Sequence, residues 1–271
     1  MCGFQRRRKT AVIVSRDTTA KFRSGLQPVG NCLAVSLHQY SGYSASPLFS
    51  LSLGAMPDFS ERFGDFPPGE KRQLCRVVAQ AGLEVPGAEG ILKSLQADDS
   101  GDVRFSAAIA AAMYELPVGM SSLTDPESQQ RFFTQVFRLN DEAWQIVESP
   151  GFSSGQYTDA LRMARAASAL QSRVHRDLRP SLGGIENTFG VALYRSGQFE
   201  QAVERLRRSM KAIGDNPSDA GFLALCHHRL GHVEESKKYE ELFQELLKKD
   251  EWRHNAAAFK VEKELQTALS E

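Results

Sequence analysis

Cysteine is scarce in this chain. The four cysteines, Cys2, Cys32, Cys75 and Cys226, are scattered and form no Cys-x-x-Cys pair. That argues against a zinc ribbon and against a dense disulfide framework. Reduced thiols in a cytoplasmic protein are the expectation. A surplus of charge is also missing: 33 Lys+Arg stand against 33 Asp+Glu. Nothing global calls for nucleic acid or an anionic surface. Long hydrophobic runs are lacking too. The best, "PLFSLSLGAM" at 47–56, opens with proline and has about half of the ~20 apolar residues that a membrane-spanning helix needs. Neither a membrane anchor nor a signal peptide is expected.

What is present changes character along the chain. The first thirty residues carry Arg6, Arg7, Arg8, Lys9, Arg16, Lys21 and Arg23 against the single acid Asp17. Residues 31–56 then hold no Lys, Arg, Asp or Glu and are rich in serine. With no core-forming period, residues 1–65 read as a disordered, low-order leader whose "RRRK" cluster is solvated. The shift in composition also fits an over-extended translation start, so that residues 1–56 need not belong to the native protein.

From Pro67 the period turns helical. Leu74, Val77, Val78 and Ala81 share one helix face, "AEGILKSLQ" supplies a second helix, and Val103, Ala107, Ala110 and Met113 a third. A fourth begins at "TDPESQQRFF", where Asp125 suits the N-cap, Pro126 the first helical position and Glu127 the positive helix end. Residues 66–140 therefore read as a helical section. The link "LKSLQADDSGDVRFSAAIAAAM" resembles a HEAT repeat, with Asp98, Val103 and Arg104 at the Asp-rich turn and the start of the second helix. It also resembles a calcium-binding EF-hand loop in a register with Gly101 sixth. That register puts Gln96 first and Ala107 twelfth, where such a loop needs Asp and a bidentate Glu. No calcium site is expected.

Residues 141–271 repeat. In "NTFGVALYRSGQFEQAVERL", Gly190 lies within an apolar helix, Gly197 at a turn, Phe199 two residues on and Ala202 three further. "HRLGHVEES" repeats the layout with Gly231, Val233 and Ser236, and Gly231 stands 34 residues after Gly197 (231 − 197), as Ala224 does after Gly190 (224 − 190). Small residues let helix A of a pair touch helix B, and glycine ends helix A at least cost. An earlier, degraded copy runs through "DEAWQIVESPGFSSGQYTDALRMARAA". Trp144 sits in its helix A, which Pro150 and Gly151 cut short, and Gly155, Tyr157 and Ala160 mark the turn and helix B. The 42 residues from Gly155 to Gly197 (197 − 155) place an insertion of about eight residues at "SRVHRDLRPSLG". "AAAFKVEKELQTAL" reads as a capping helix.

A period of 34 with this helix–turn–helix pattern resembles the tetratricopeptide (TPR) repeat. It resembles in particular the TPR tails of large bacterial multidomain proteins that carry serine/threonine kinase or WD40 domains. The departures are Glu186 where the family places Trp, Tyr194 one position late, Gly214 at the repeat-end Pro place, and Pro217 three residues after it. The resemblance implies an all-α, antiparallel helix-pair solenoid that works as a non-catalytic protein-binding scaffold or adaptor. The alternative is a fragment or divergent relative of a TPR-tailed bacterial kinase signalling protein.

Other constellations are weaker. "HRDLRP" at 175–180 mimics a kinase catalytic loop, but Leu182 stands where Asn should hold magnesium, and no Asp-Phe-Gly triplet or Gly-rich loop occurs. His228 and His232 are spaced i, i+4, yet Gly231 ends the helix between them. Cys226 falls at an apolar helix position and reads as core. No catalytic residue, metal site or cofactor is expected, nor a nucleic-acid or membrane partner. On the TPR resemblance, helix A lines a concave groove. Asn187, Tyr194 and Arg195 of one repeat and His228 and Arg229 of the next would face outward there and take an acidic peptide or a chain terminus of a protein partner.

Overall fold

The computed structural model describes residues 12–14, 19–21, 34–36, 50–52, 63–85, 87–119, 125–175, 177–179 and 183–270. The chain divides into two compact units, Met1–Ser121 and Ser122–Glu271. Most of the expected low-order leader lies outside the described residues. Those described there form two antiparallel strand pairs and one short 3-10 helix, Phe63–Asp65. β1 (Val12–Val14) pairs with β2 (Thr19–Lys21) through Ile13 opposite Ala20. β3 (Ala34–Ser36) pairs with β4 (Ser50–Ser52) through Val35 opposite Leu51.

From Pro68 onward the regular structure among the described residues is helical. In the first unit, α1 (Pro68–Ala81), α2 (Ala88–Leu95) and α3 (Gly101–Met113) enclose one core of Cys75, Val78, Ile91, Leu92, Leu95, Val103, Ala107 and Ala110. Five alanines of α3 are buried, which lets it lie along both α1 and α2. The arrangement is a three-helix cluster in which α3 has two partners, rather than an isolated HEAT-like hairpin of α2 and α3. The acidic turn ties it together. Lys71 Nζ donates to Asp98 at 2.7 Å, and Arg104 Nη1 donates to the carbonyls of Asp98 (2.6 Å) and Asp99 (2.9 Å).

The second unit is a stack of helix pairs: α4 (Pro126–Val147) with α5 (Ser154–Gln171), α6 (Ile185–Arg195) with α7 (Phe199–Ile213), and α8 (Pro217–Arg229) with α9 (Val233–Leu247). α4 touches α6, α6 touches α8, and α8 touches α10 (Ala256–Ser270). The first helices of the pairs thus form an inner row. In α6 every residue from Asn187 to Tyr194 is buried, and in α8 every residue from Asp219 to His227. A helix covered on all sides needs small or apolar residues, or polar ones that are partnered, and α6 and α8 have them, with Asn187 bonded to Asp219. α7 and α9 bury only a stripe, such as Ala202, Val203 and Leu206 in α7.

Local chemistry sets the boundaries. Asp125 caps α4 by accepting from the Ser128 N–H at 2.7 Å, with Pro126 in the first turn. Gly197 and Gly231 end α6 and α8 at φ +74°, the left-handed conformation that costs glycine least. Gly190 is the crossing point of its pair: a Cβ there would stand 2.6 Å from Leu206 Cγ and 3.2 Å from the α7 backbone. In the next pair, Ser236 Oγ donates to the Ala224 carbonyl at 3.0 Å.

The degraded copy departs from its expected form. Its first helix is not short: α4 runs 22 residues and lies whole in the second unit, whereas the sequence reading divided it at residue 140. Gly155 is not in the turn. A capping box, with Ser153 and Gln156 each accepting from the other's backbone N–H, starts α5 before Gly155. Gly151, at φ +108°, takes the turn instead. The insertion falls at 172–184, between α5 and α6.

Candidate functional site

The inner row, with α10 laid on it, forms the most built polar site of the second unit. Arg195, the last residue of α6, is held from several sides. Its Nε donates to the carbonyl of Val147 at 2.9 Å, an acceptor that the end of α4 leaves without an intrahelical partner. Its guanidinium lies 5.3 Å from the ring centres of both Tyr194 and Phe222. Its two Nη groups donate to the two carboxylate oxygens of Glu264 in α10, Nη2 to Oε2 at 2.8 Å. The Arg195 and Glu264 side chains are only 5% and 15% exposed, so the bidentate pair is shielded from screening.

Tyr194 completes the arrangement. Its hydroxyl donates to Glu264 Oε1 at 3.2 Å, and its ring meets Phe222 edge-on at 5.4 Å. Burial, then the Glu264 charge, pushes the phenol well above its ordinary range. It stays protonated and acts as a donor. Lys260 of α10 pairs at 2.8 Å with Glu148, the residue capping α4. α10 thus packs on α8 and reaches α6 and α4 through one ion pair each.

Of the five residues expected to face outward, three do not. Asn187 and Tyr194 are each 8% exposed, and Arg195 is covered by Glu264. Asn187 Nδ2 donates to Ser218 Oγ (3.1 Å) and Asp219 Oδ1 (2.7 Å), tying α6 to α8. The physical reason is that the inner row is two-sided: neighbouring first helices and α10 cover faces that a lone helix pair would leave open. His228 is half-buried and Arg229 exposed. Arg229 lies near enough to the Tyr194 hydroxyl to favour its ionised form. The structure therefore brings Tyr194, Arg195 and Arg229 together and leaves Asn187 in a separate contact.

Glu264 was missed by sequence reasoning. Its signal was there: in "VEKEL" it lies three residues after Val261 and directly before Leu265, both buried, and so borders the apolar stripe of its helix. Gly221 was missed as well. A Cβ there would stand 2.3 Å from Val261 Cγ1. Glu186, near the start of α6, joins three helices. It accepts from Ser168 (2.6 Å), Gln171 (2.9 Å) and Arg205 (3.2 Å).

The other motifs take structural positions. In "HRDLRP", Arg179 donates to the carbonyls of Ser172 (2.6 Å) and Val174 (2.8 Å), closing the end of α5. His232 approaches His227, Nδ1 to Nδ1 at 3.2 Å, rather than the His228 that the i, i+4 spacing suggested. His227 also stacks on Tyr239 with ring centres 5.5 Å apart. Burial, then the Arg207 charge, lowers its pKa. Burial pushes the thiols of Cys75 and Cys226 up to about 12. Among the described residues, no three His, Cys, Asp or Glu side chains gather as a metal site, and no helix is long and apolar enough to cross a membrane.

The stacked pairs define a helical-repeat protein of solenoid type. No protein-family model matches the chain, and no curated protein or solved structure is significantly similar to it.

Proposed function

We propose that residues 122–271 form a tetratricopeptide-type module and that the chain is a non-catalytic scaffold binding a protein partner through its inner row. The Arg195–Glu264 pair carries this reading. A guanidinium braced by a carbonyl and two rings, and aimed at a carboxylate on another helix, is a recognition device for an acidic helical or peptide ligand. Arg229 extends the same positive edge towards solvent. The reading includes a cytoplasmic location and requires neither nucleic acid nor membrane.

The test is affinity purification of the full chain from its native cell after cross-linking, with wild type beside His228→Ala/Arg229→Glu. The expected result is a reproducible protein partner retained by wild type and reduced at least several-fold by the variant. An identical set of captured proteins from both would rule out this face as the binding surface.

A further inference from the structure

Building on that scaffold reading, we infer that α10 is a resident ligand. It occupies within the same chain the seat of a partner helix, and the partner presents the register Val-x-x-Glu-Leu-x-x-Ala: a carboxylate bordering an apolar stripe.

The seat is built independently of its occupant. Arg195 is positioned by groups that do not belong to α10: the Val147 carbonyl and the Tyr194 and Phe222 rings. Gly221 lies inside α8, where glycine weakens a helix. The close neighbours of a Cβ there are Val261 of α10, at 2.3 Å, and Phe243 of α9, at 3.2 Å. α8 gives up helix propensity at the spot where Val261 seats.

The occupant joins the core of the second unit along one face only. α10 buries only Ala258, Val261, Leu265 and Ala268, a single stripe at i, i+3, i+7 and i+10. Its polar anchors are Glu264 to Arg195 and Lys260 to Glu148. The connection to α9 is a run of turns in which Lys248, Lys249, Asp250, Glu251, Arg253 and His254 are exposed. Trp252 in that connection packs against the core of the second unit. α10 carries its own start signal, since Asn255 Oδ1 accepts from the Ala258 N–H at 3.0 Å. It begins as a capped helix, not as a continuation of α9.

These features set the chemistry of the competing ligand. It is an amphipathic helix whose carboxylate replaces that of Glu264 and whose small and branched apolar residues replace Val261, Leu265 and Ala268. A helix with Lys or Arg in place of the carboxylate is excluded by Arg195, because a like charge in a shielded site is strongly unfavourable.

The probe is a fluorescent peptide of residues 255–270, added to full-length chains and followed by anisotropy. Wild type, whose seat is filled, binds it weakly. The Glu264→Arg chain, whose own α10 is repelled by Arg195, binds it about tenfold more tightly or better. The Arg195→Glu chain rejects this peptide and accepts one carrying Glu264→Arg. Should the variants fail to fold, hydrogen exchange on the wild-type chain decides: excess peptide speeds exchange in α10 and leaves α9 unchanged. Peptide that ignores the charge at 195 and 264, or that leaves exchange in α10 untouched, overturns the inference. If that happens while the cross-linked partner is still captured, the scaffold reading survives alone. If exchange follows the charges but no partner is captured, the inference stands and the scaffold reading falls.

Discussion

The pairs α6/α7 and α8/α9 are one design carried out twice, 34 residues apart, and they differ where it matters. Arg229 is the counterpart of Arg195 (229 − 195 = 34), His227 of Leu193 (227 − 193 = 34) and Ala224 of Gly190. Arg195 is sealed by Glu264, while Arg229 stays exposed. Gly190 meets a leucine and the backbone of the next helix, whereas Ala224 receives a serine hydroxyl on its carbonyl. Leu193 is plain core, whereas His227 stacks on Tyr239 beside Arg207. A repeat position thus specifies a place in the packing but not the environment there. The environment depends on the next helix in the stack, and only α8 has α10 packed along it.

Substitutions can break this comparison at each matched position. The largest effect is expected at the crossing. Gly190→Val drives two methyls into Leu206 and the α7 backbone and should cost about 3 kcal/mol. Ala224→Gly, which only loosens its helix, should cost about 1 kcal/mol. Urea melts giving equal losses would show that the two crossings are alike after all.

Next comes the pair of arginines. Arg195→Met strands the shielded Glu264 carboxylate and the Val147 carbonyl, with an expected loss of about 2 kcal/mol. Thermal unfolding within error of wild type would mean that α10 is not held by this contact.

The third test uses pH. The folded-state pKa of His227 is lowered from its ordinary value of 6.5. The unfolded chain therefore takes up the proton more readily. The contribution of His227 is fully present above that ordinary value and is lost as pH falls below it, towards the lowered folded pKa. The facing groups are Arg207 from α7, His232 beside the turn, and Tyr239 and Glu235 from α9. Only Glu235 works against the shift. Stability should fall as pH drops from 7.5 to 5.5, with this site contributing to the slope. His227→Leu, which copies Leu193, should flatten that slope. A slope that survives the substitution would assign the pH dependence elsewhere. Asp219, raised by burial, acts oppositely: its contribution is present below the ordinary carboxylate range and fades as pH rises.

The smallest effect is expected at the exposed counterpart. Arg229→Met should leave stability within about 0.5 kcal/mol of wild type. A loss as large as that at Arg195 would place Arg229 in the core network rather than on a free edge.

The parts of the fold legible in the sequence were those governed by neighbours along the chain. Asp125-Pro126 announced the start of α4, Gly197 and Gly231 announced the turns, and Val233–Leu247 and Ala256–Ser270 emerged where helices were expected. The early copy misled because two local signals competed. Gly155 matched the repeat spacing, but Ser153 with Gln156 made a stronger helix start, and Gly151 was left to turn the chain. The candidate site was half legible. Tyr194 and Arg195 were picked out as special, but what faces them was not, because Glu264 lies 69 residues beyond Arg195.

By itself, then, the sequence determined that the second unit holds a run of antiparallel helix pairs, that Gly197 and Gly231 end α6 and α8, and which small residues let helices touch. These follow from hydrogen bonding and sterics over a few residues. Only the tertiary structure decided which of two equivalent arginines is buried on a carboxylate and which is left to solvent. That choice rests on where α10 packs, and an apolar stripe marks a helix face for burial without naming the surface that buries it.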